Sequence, residues 1–289
     1  MRMLVTGGTG FLGRRVVARA IGEGHHVVGF ARSAAAIRAL EEAGAEAVPG
    51  DLDDPASVDA AFRASKGNIL INLASLGFGH ADMIVSAAED AGLNRAIFIS
   101  TTAIFTTLPA STKRVRTQAE STITGSGLDW TILRPTMIYG GPDDRNMARL
   151  LAALRRSKVL PLPGGGNRLQ QPVHVDDLTS AVLEAARRDT TIGRTYTIAG
   201  PEALTFRTIV KEAGAAVGRQ ILTVALPLRA TLAVVSGYER LAARPKLRAE
   251  QIARLAEDKA FPIDDAAADL DFDPRPFQQG IRAEAELLA

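Results

Sequence analysis

The sequence predicts an α/β protein built on a doubly wound parallel sheet, with a smaller, mainly helical C-terminal lobe. Three observations predict it. Short β-branched apolar runs alternate with amphipathic helical patterns through the first half of the chain, which is the rhythm of βαβ units. A glycine-rich turn, Thr6-Gly7-Gly8-Thr9-Gly10-Phe11-Leu12-Gly13, joins the first such run to the first helical pattern. After Arg134-Pro135 the rhythm gives way to Gly- and Pro-rich loops and then mostly to helical patterns.

Strands are expected at residues 2–6, 26–31, 46–49, 69–73, 95–100 and 130–133. Each is short, apolar and rich in β-branched residues, as a strand covered on both faces must be. Apolar residues recurring every three to four positions place helices at 11–22, 34–43, 55–64, 80–91 and roughly 112–124. Asp53-Asp54-Pro55 reads as a helix start, because a carboxylate accepts first-turn N–H groups and proline suits the first helical position. Gly44, Gly67, Gly92 and Gly127 stand where glycine commonly ends a helix. In the second half, helices are expected at 176–187, 206–217, 228–242 and 249–259, with short strands near 171–174, 195–198 and 221–224. The expected division is residues 1–140 for the sheet and 141–289 for a smaller lobe partly interleaved with it. A ligand cleft is expected between them, outside the carboxyl ends of the strands.

Composition removes several classes of function. The 289 residues carry 34 Lys and Arg against 32 Asp and Glu, so no basic surface for nucleic acid is implied. The absence of cysteine excludes disulfides, thiolate nucleophiles and Cys-based metal centres. The four histidines show no ligand spacing, so no metal is expected. The first strand begins at residue 2, which leaves no room for a secretory signal. The apolar stretch 222–235 is interrupted by Pro227 and Arg229 and falls short of the roughly 20 residues a membrane span needs. A cytoplasmic protein is expected, with a core or interface helix over that stretch.

A strand that turns through glycines into a helix presents unpaired N–H groups and a positive dipole end, where a pyrophosphate fits. Gly7 permits the tight turn, Gly10 lets the backbone approach phosphates, and Gly13 lets the helix lie close to the strand. A dinucleotide is therefore expected against Thr6, Gly7, Thr9, Gly10, Phe11, Leu12 and Gly13. The second strand ends Ala31-Arg32-Ser33, without the carboxylate that would accept from a ribose 2′-hydroxyl and repel a 2′-phosphate. Arg32, Ser33 and Arg14 offer donors to such a phosphate, which favours NADP(H) over NAD(H); solvated side chains are the alternative for both arginines. Asp51 and Leu52 lie where adenine is held, although Asp51 also suits a loop or cap. Leu73, Ala74 and Ser75 are expected along the dinucleotide, and Pro135, Thr136 and Met137 beside the nicotinamide.

Further segments carry a more specific signal: Gly50-Asp51-Leu52, Phe98-Ile99-Ser100-Thr101-Thr102, Gly127-Leu128-Asp129-Trp130-Thr131-Ile132-Leu133-Arg134-Pro135, Ile138-Tyr139-Gly140 and Val173-His174-Val175-Asp176-Asp177. With the glycine turn they resemble, over nearly the whole chain, the extended and atypical short-chain dehydrogenase/reductase superfamily in its NAD-dependent epimerase/dehydratase group. The resemblance implies a Rossmann-type fold and an oxidoreductase, or a nucleotide-sugar epimerase or dehydratase, acting on a small carbonyl or hydroxyl substrate. It also implies a Ser or Thr after the fifth strand and a Tyr-x-x-x-Lys pair on the next helix. In such a pair Lys lowers the phenol's pKa and Tyr exchanges a proton with the substrate oxygen.

Ser100, Thr101 and Thr102 supply the hydroxyl, with Thr102 foremost. The pair itself is missing. Glu120 matches the acid that usually follows the Lys, and counting back puts Arg116 at the Lys position and Thr112 at the Tyr position. Arginine stays protonated and an aliphatic hydroxyl is a very weak acid, so Arg116 is left as an anchor for ribose or phosphate. Tyr139 is the substitute phenol nearest the expected cleft, or a packing residue. His174 with Asp176 and Asp177 invites a metal or acid–base reading, where the resemblance implies a strand running into a capped helix; Arg145, Asn146, Arg149 and Gln170 lie on segments expected to border the cleft and are polar candidates for substrate, with a solvated surface as the alternative. The resemblance also keeps open a second class, NADPH binding without turnover, as in atypical members that act as redox sensors or as the accessory subunit of respiratory complex I. Helices 80–91 and 112–124 are candidates for the homodimer bundle of many relatives.

Overall fold

Parallel strands joined by helices make up the first half of the computed structural model, which describes residues 1–108, 110–144, 146–242 and 248–288. The strands there are β1 (Arg2–Thr6), β2 (His26–Ala31), β3 (Glu46–Pro49), β4 (Ile69–Asn72), β5 (Arg95–Ile99) and β6 (Asp129–Pro135). Between them run α1 (Phe11–Gly22), α2 (Ala34–Glu42), α3 (Pro55–Ser65), α4 (Ala81–Asp90) and α5 (Ser111–Thr124). The chain continues through β7 (Ile138–Tyr139), α6 (Met147–Arg156), β8 (Val159–Pro163), β9 (Leu169–Gln170), β10 (Val173–His174), α7 (Val175–Arg187) and β11 (Arg194–Ile198). It ends with β12 (Leu204–Thr205), α8 (Phe206–Ala216), β13 (Leu222–Leu226), α9 (Leu228–Leu241), α10 (Ala249–Arg254), α11 (Asp264–Leu270) and α12 (Phe277–Leu287).

Seven strands form the main sheet in the order β11-β6-β5-β4-β1-β2-β3, so the winding reverses between β4 and β1. That reversal is where doubly wound sheets open a crevice at their carboxyl ends. The strand near 195–198, read from sequence as part of the smaller lobe, instead extends this sheet: β11 pairs in parallel with β6, from Arg194 opposite Thr131 to Ile198 opposite Pro135. The chain divides into two compact units. The first comprises Met1–Pro135, Val175–Ile198 and Ile263–Asp273; the second comprises Thr136–His174, Ala199–Pro262 and Pro274–Ala289.

In the first unit Met3, Leu4, Val5, Leu70, Ile71, Ile97 and Phe98 are wholly buried, as expected of a parallel sheet covered by helices on both faces. Local chemistry sets the helix starts. Ser33 Oγ accepts the Ala36 N–H at 3.2 Å and opens α2, and Asp54 Oδ1 accepts the Ala56 N–H at 3.1 Å beside Pro55 to open α3. A Cβ on Gly29 would sit 2.5 Å from Leu40 Cδ1, so only glycine lets α2 lie this close to β2.

The second unit has its own core, with Tyr139, Leu151, Ile209, Val210 and Ile281 wholly buried. Tyr139 lies edge-on to His174 and tilted on Phe277, both at 5.2 Å between ring centroids. A Cβ on Gly280 would fall 2.2 Å from the Tyr139 hydroxyl. Beside this ring Glu284 is wholly buried, and its Oε2 accepts the Gly140 N–H at 3.1 Å. Asp144 faces it, accepting the N–H groups of Asn146 at 2.7 Å and Met147 at 2.9 Å. Burial and then the neighbouring Asp144 hold the Glu284 carboxyl up at about 8, and burial raises Asp144 as well. Among the described residues no helix is long and apolar enough to cross a membrane.

This acid pair gives stability a pH dependence. Folded Glu284 keeps its proton up to about 8, whereas the unfolded chain releases it near 4.5, so the unfolded state binds fewer protons across that window. Stability therefore falls as pH rises through it, by up to about 1.4 kcal/mol per pH unit, and levels off above. Thermal melts of Glu284→Gln should lose this fall; a parent melting temperature that stays flat across the same window would contradict it.

Candidate cofactor site

The turn between β1 and α1 is as tight as a backbone can make it. Gly7 has φ +68°, and a Cβ there would lie 2.9 Å from both the Leu73 carbonyl carbon and the Ala74 nitrogen. A Cβ on Gly13 would fall 2.1 Å from the Gly7 carbonyl oxygen, and Gly10 donates its N–H to that same oxygen at 3.0 Å. The first turn of α1 has neither a capping side chain nor an acidic residue, so its N–H groups and dipole are left for an outside anion. Thr6 contributes differently from expectation. Wholly buried, it donates to Asn72 Oδ1 at 2.6 Å, and Asn72 Nδ2 donates to the Ala74 carbonyl at 3.2 Å. Its side chain builds the turn and does not line the site.

A cavity of about 640 Å3 opens in front of this turn. Of the residues expected at the cofactor, Gly7, Thr9, Arg32, Ser33, Asp51, Leu52 and Ala74 line it. Arg32 is well exposed, with Nη1 at 3.6 Å from Asp51 Oδ1 and 3.5 Å from Asp53 Oδ2. Ser33 keeps its own hydroxyl proton while capping α2. Leu73 donates its N–H to the Thr6 carbonyl at 3.1 Å, and Ser75 Oγ accepts the Gly77 N–H at 3.2 Å. Phe11, Leu12 and Arg14 belong to α1 behind the turn, where Phe11 lies 4.6 Å beneath the Arg15 guanidinium and Arg14 donates its N–H to Gly10.

Seven wall residues were not expected at the cofactor from sequence: Phe30, Ala31, Ala36, Gly50, Asp53, Phe78 and His80. Phe78 stands in this wall 76% exposed. His80 Nε2 lies 2.9 Å from Asp53 Oδ1, which links His80, Asp53, Arg32 and Asp51 in one chain of charge. The available signal was Gly77-Phe78-Gly79-His80 at the carboxyl end of a parallel strand, with Gly79 turning the chain at φ +86°.

Near the end of β5 the hydroxyls are differently committed. Buried Ser100 donates to Glu120 Oε1 at 2.5 Å, and Arg134 grips the same buried carboxylate at 2.5 Å and 3.1 Å. Thr102 is buried and its hydroxyl donates to the Pro135 carbonyl at 3.4 Å. Thr101 accepts the Ala103 N–H at 3.2 Å and retains its proton for donation. One helical turn apart on α5, Arg116 Nη1 donates to Thr112 Oγ1 at 2.8 Å, and the guanidinium lies against the backbone of Gly77.

The remaining candidates fall in the second unit. Thr136 Oγ1 donates to the Gln171 carbonyl at 2.5 Å, and Met137 packs against that unit's core. Gln170 is buried and donates to the Glu257 carbonyl at 3.0 Å, while Asn146 and Arg149 are exposed. Arg145 lies outside the described residues. Tyr139 is no candidate acid, since it is wholly buried with its hydroxyl turned to the Phe277 carbonyl at 3.5 Å.

A family model described as NAD(P)H-binding matches residues 7–158. The chain is 32% identical over 221 residues to the mitochondrial NADH dehydrogenase (ubiquinone) 1 alpha subcomplex subunit 9 of Arabidopsis thaliana, a match covering 70% of this chain and 54% of that one. It thus spans about half the length of that relative. It is 27% identical to the 2-alkyl-3-oxoalkanoate reductase of Stenotrophomonas maltophilia, with 86% of each chain covered. Among solved structures, UDP-glucose 4-epimerase from Thermotoga maritima superposes with a TM-score of 0.78 at 17% identity, over 100% of this chain and 98% of the epimerase. That likeness is one of fold. With more than half its length matched, on a glycine turn shaped to receive a pyrophosphate, the chain belongs to the NAD(P)H-binding family within the short-chain dehydrogenase/reductase superfamily.

Proposed function

We propose that the protein binds NADP(H) in preference to NAD(H) and acts as an oxidoreductase on a small carbonyl or hydroxyl substrate. One observation carries the cofactor choice: the tip of β2 presents an exposed guanidinium, Arg32, to the cavity and no carboxylate. Its pairs with Asp51 and Asp53 are long and solvated, worth under about 1 kcal/mol each. A phosphate dianion offers a planar fork shorter, bidentate bonds. Ser33 supplies a second donor beside it. The backbone N–H groups at the start of α1 hold the pyrophosphate, and the face of Phe78 covers the adenosine end.

When bound, reduced nicotinamide supplies a hydride; this chain supplies position and hydrogen bonds. Thr101 has a free proton to direct at a substrate oxygen, whereas Ser100 is held by Glu120 and Thr102 by the Pro135 carbonyl. The transferred proton comes from water or from a substrate hydroxyl, because neither Thr112 nor Arg116 exchanges protons near neutral pH. The similarity to a named reductase across 86% of both chains supports this class of reaction.

A second reading is favoured by one specific feature, the Thr112–Arg116 hydrogen bond where a Tyr and Lys are expected. In it NADPH binds without turnover and stabilises one conformation through its higher affinity for that state. The resemblance to a respiratory-complex subunit accords with such a role.

Calorimetric titration should show tighter binding of NADPH than NADH. Arg32→Ala should weaken NADPH by roughly ten- to a hundredfold, the worth of charge-assisted hydrogen bonds to a phosphate, and leave NADH nearly unchanged. Equal affinities in the parent protein would overturn the assignment.

Turnover separates the two readings. Across a panel of small carbonyls with NADPH, slow loss of reduced-nicotinamide absorbance is expected. The paired change Thr112→Tyr and Arg116→Lys should raise kcat by about a hundredfold, the scale of a positioned general acid. No consumption in either protein, alongside clear calorimetric binding, would favour the reading without turnover.

A further inference from the structure

The outward face of α9, with β13 before it, is apolar where a surface helix normally presents polar side chains. Leu222, Val224 and Leu226 with Val234, Tyr238 and Leu241 make up half of the large apolar side chains exposed among the described residues, all within one stretch of the second unit. On α9 the stripe recurs at helical spacing, through Ala230, Val234, Tyr238 and Leu241. Val235, one residue on, turns the other way, is buried, and lies on the helix that α10 packs against. The stretch 222–235, expected to hold a core or interface helix with a short strand near 221–224, is strand β13 followed by the first part of α9, with an apolar surface outside.

The charges exposed on the stretch itself have one sign, while Glu250 on the neighbouring α10 is paired with Arg254. The exposed residues from 222 to 241 include Arg229 and Arg240 and no acid. Glu239, the one acid in the stretch, is half-buried and accepts the Ala249 N–H at 3.1 Å. The sequence from 240 to 248 adds Arg244, Lys246 and Arg248 without an acidic residue, positions 244 and 246 lying outside the described ones. Two copies meeting through this stretch would bring its arginines together with no fully exposed acid of the stretch between them, since a two-fold interface pairs a patch with itself. A bilayer carrying anionic headgroups meets both needs, taking the apolar stripe at the acyl boundary and the basic flank at the phosphates.

We propose that the outward face of α9 forms a peripheral docking surface for an anionic membrane, on which the helix lies in the interface without crossing it. The apolar stripe and the basic flank are the two weak signals that stable membrane attachment combines.

Flotation of the full chain with phosphatidylcholine vesicles, with and without phosphatidylglycerol, tests it. Binding is expected to the phosphatidylglycerol vesicles, at least about fivefold weaker to phosphatidylcholine alone, and reduced by added salt. Val234→Ser with Leu241→Ser, and separately Arg229→Glu with Arg240→Glu, should each abolish flotation while leaving NADPH titration and thermal melting unchanged. The parent protein answers without any variant: no flotation with phosphatidylglycerol vesicles, or equal flotation with both kinds, overturns the proposal. So does a lipid-free dimer, seen by light scattering, that the Val234 and Leu241 changes dissociate, for that assigns the face to a second copy.

Discussion

Everything at the cofactor site depends on how closely the first turn approaches the end of β4. At Gly7 and Gly13 no space exists for even one additional carbon, because backbone atoms of Leu73, Ala74 and Gly7 already occupy it. The Thr6–Asn72 hydrogen bond holds β1 and β4 at that level, and the start of α1 is aimed accordingly. The anion site is consequently made of backbone, with no basic side chain needed to create it. A site of that kind tolerates wide change elsewhere in the chain.

Two polar clusters of the first unit differ in how firmly they are placed. At the cavity, Arg32, Asp51, Asp53 and His80 form a chain in which Arg32 and Asp53 are largely exposed, and water screens such pairs so well that either is redirected at small cost. At the end of β5 the opposite holds. Glu120 is buried between Ser100 and Arg134; removing Arg134 would leave its carboxylate buried without a countercharge, and removing Ser100 would cost it a hydrogen bond. The first arrangement suits a group that must let a ligand displace its partners. The second suits a scaffold, and it explains why Ser100 has lost the freedom its position in the resemblance implied.

The central sheet was legible because each of its first six strands is a short β-branched run closed by glycine or polar residues, and that information is local. β11 was visible as a strand but not as a member of the sheet, since its partner β6 lies about sixty residues upstream and pairing leaves no local trace. α6 lies between Gly- and Pro-rich loops that obscured its period, although Met147, Leu151 and Leu154 are its buried side. At the site, the glycine turn and Arg32 could be read because backbone geometry demands particular residues there. Phe78 and His80 were less legible, for the glycines flanking Phe78 mark a turn there without saying that its side chains line the cavity. Tyr139 looked available only until Gly280 and Phe277, some 140 residues away in sequence, were seen to enclose it.

Adjacent residues on α9 show the limit of periodicity most plainly. Val234 and Val235 are the same residue type, one step apart in one helix, yet one is 72% exposed and the other 7%. A helical repeat reports that a stripe is apolar; it does not report whether protein lies against that stripe. Val235 has α10 beside its helix and counts toward the stability of the second unit. Val234 lies in a row with Ala230, Tyr238 and Leu241 and keeps most of its surface in contact with water. A domain that keeps a cofactor turn to within a fraction of an ångström in one unit, yet leaves such a row uncovered in the other, has spent its packing unevenly. The uncovered row is the part of the fold that the chain's own stability does not account for.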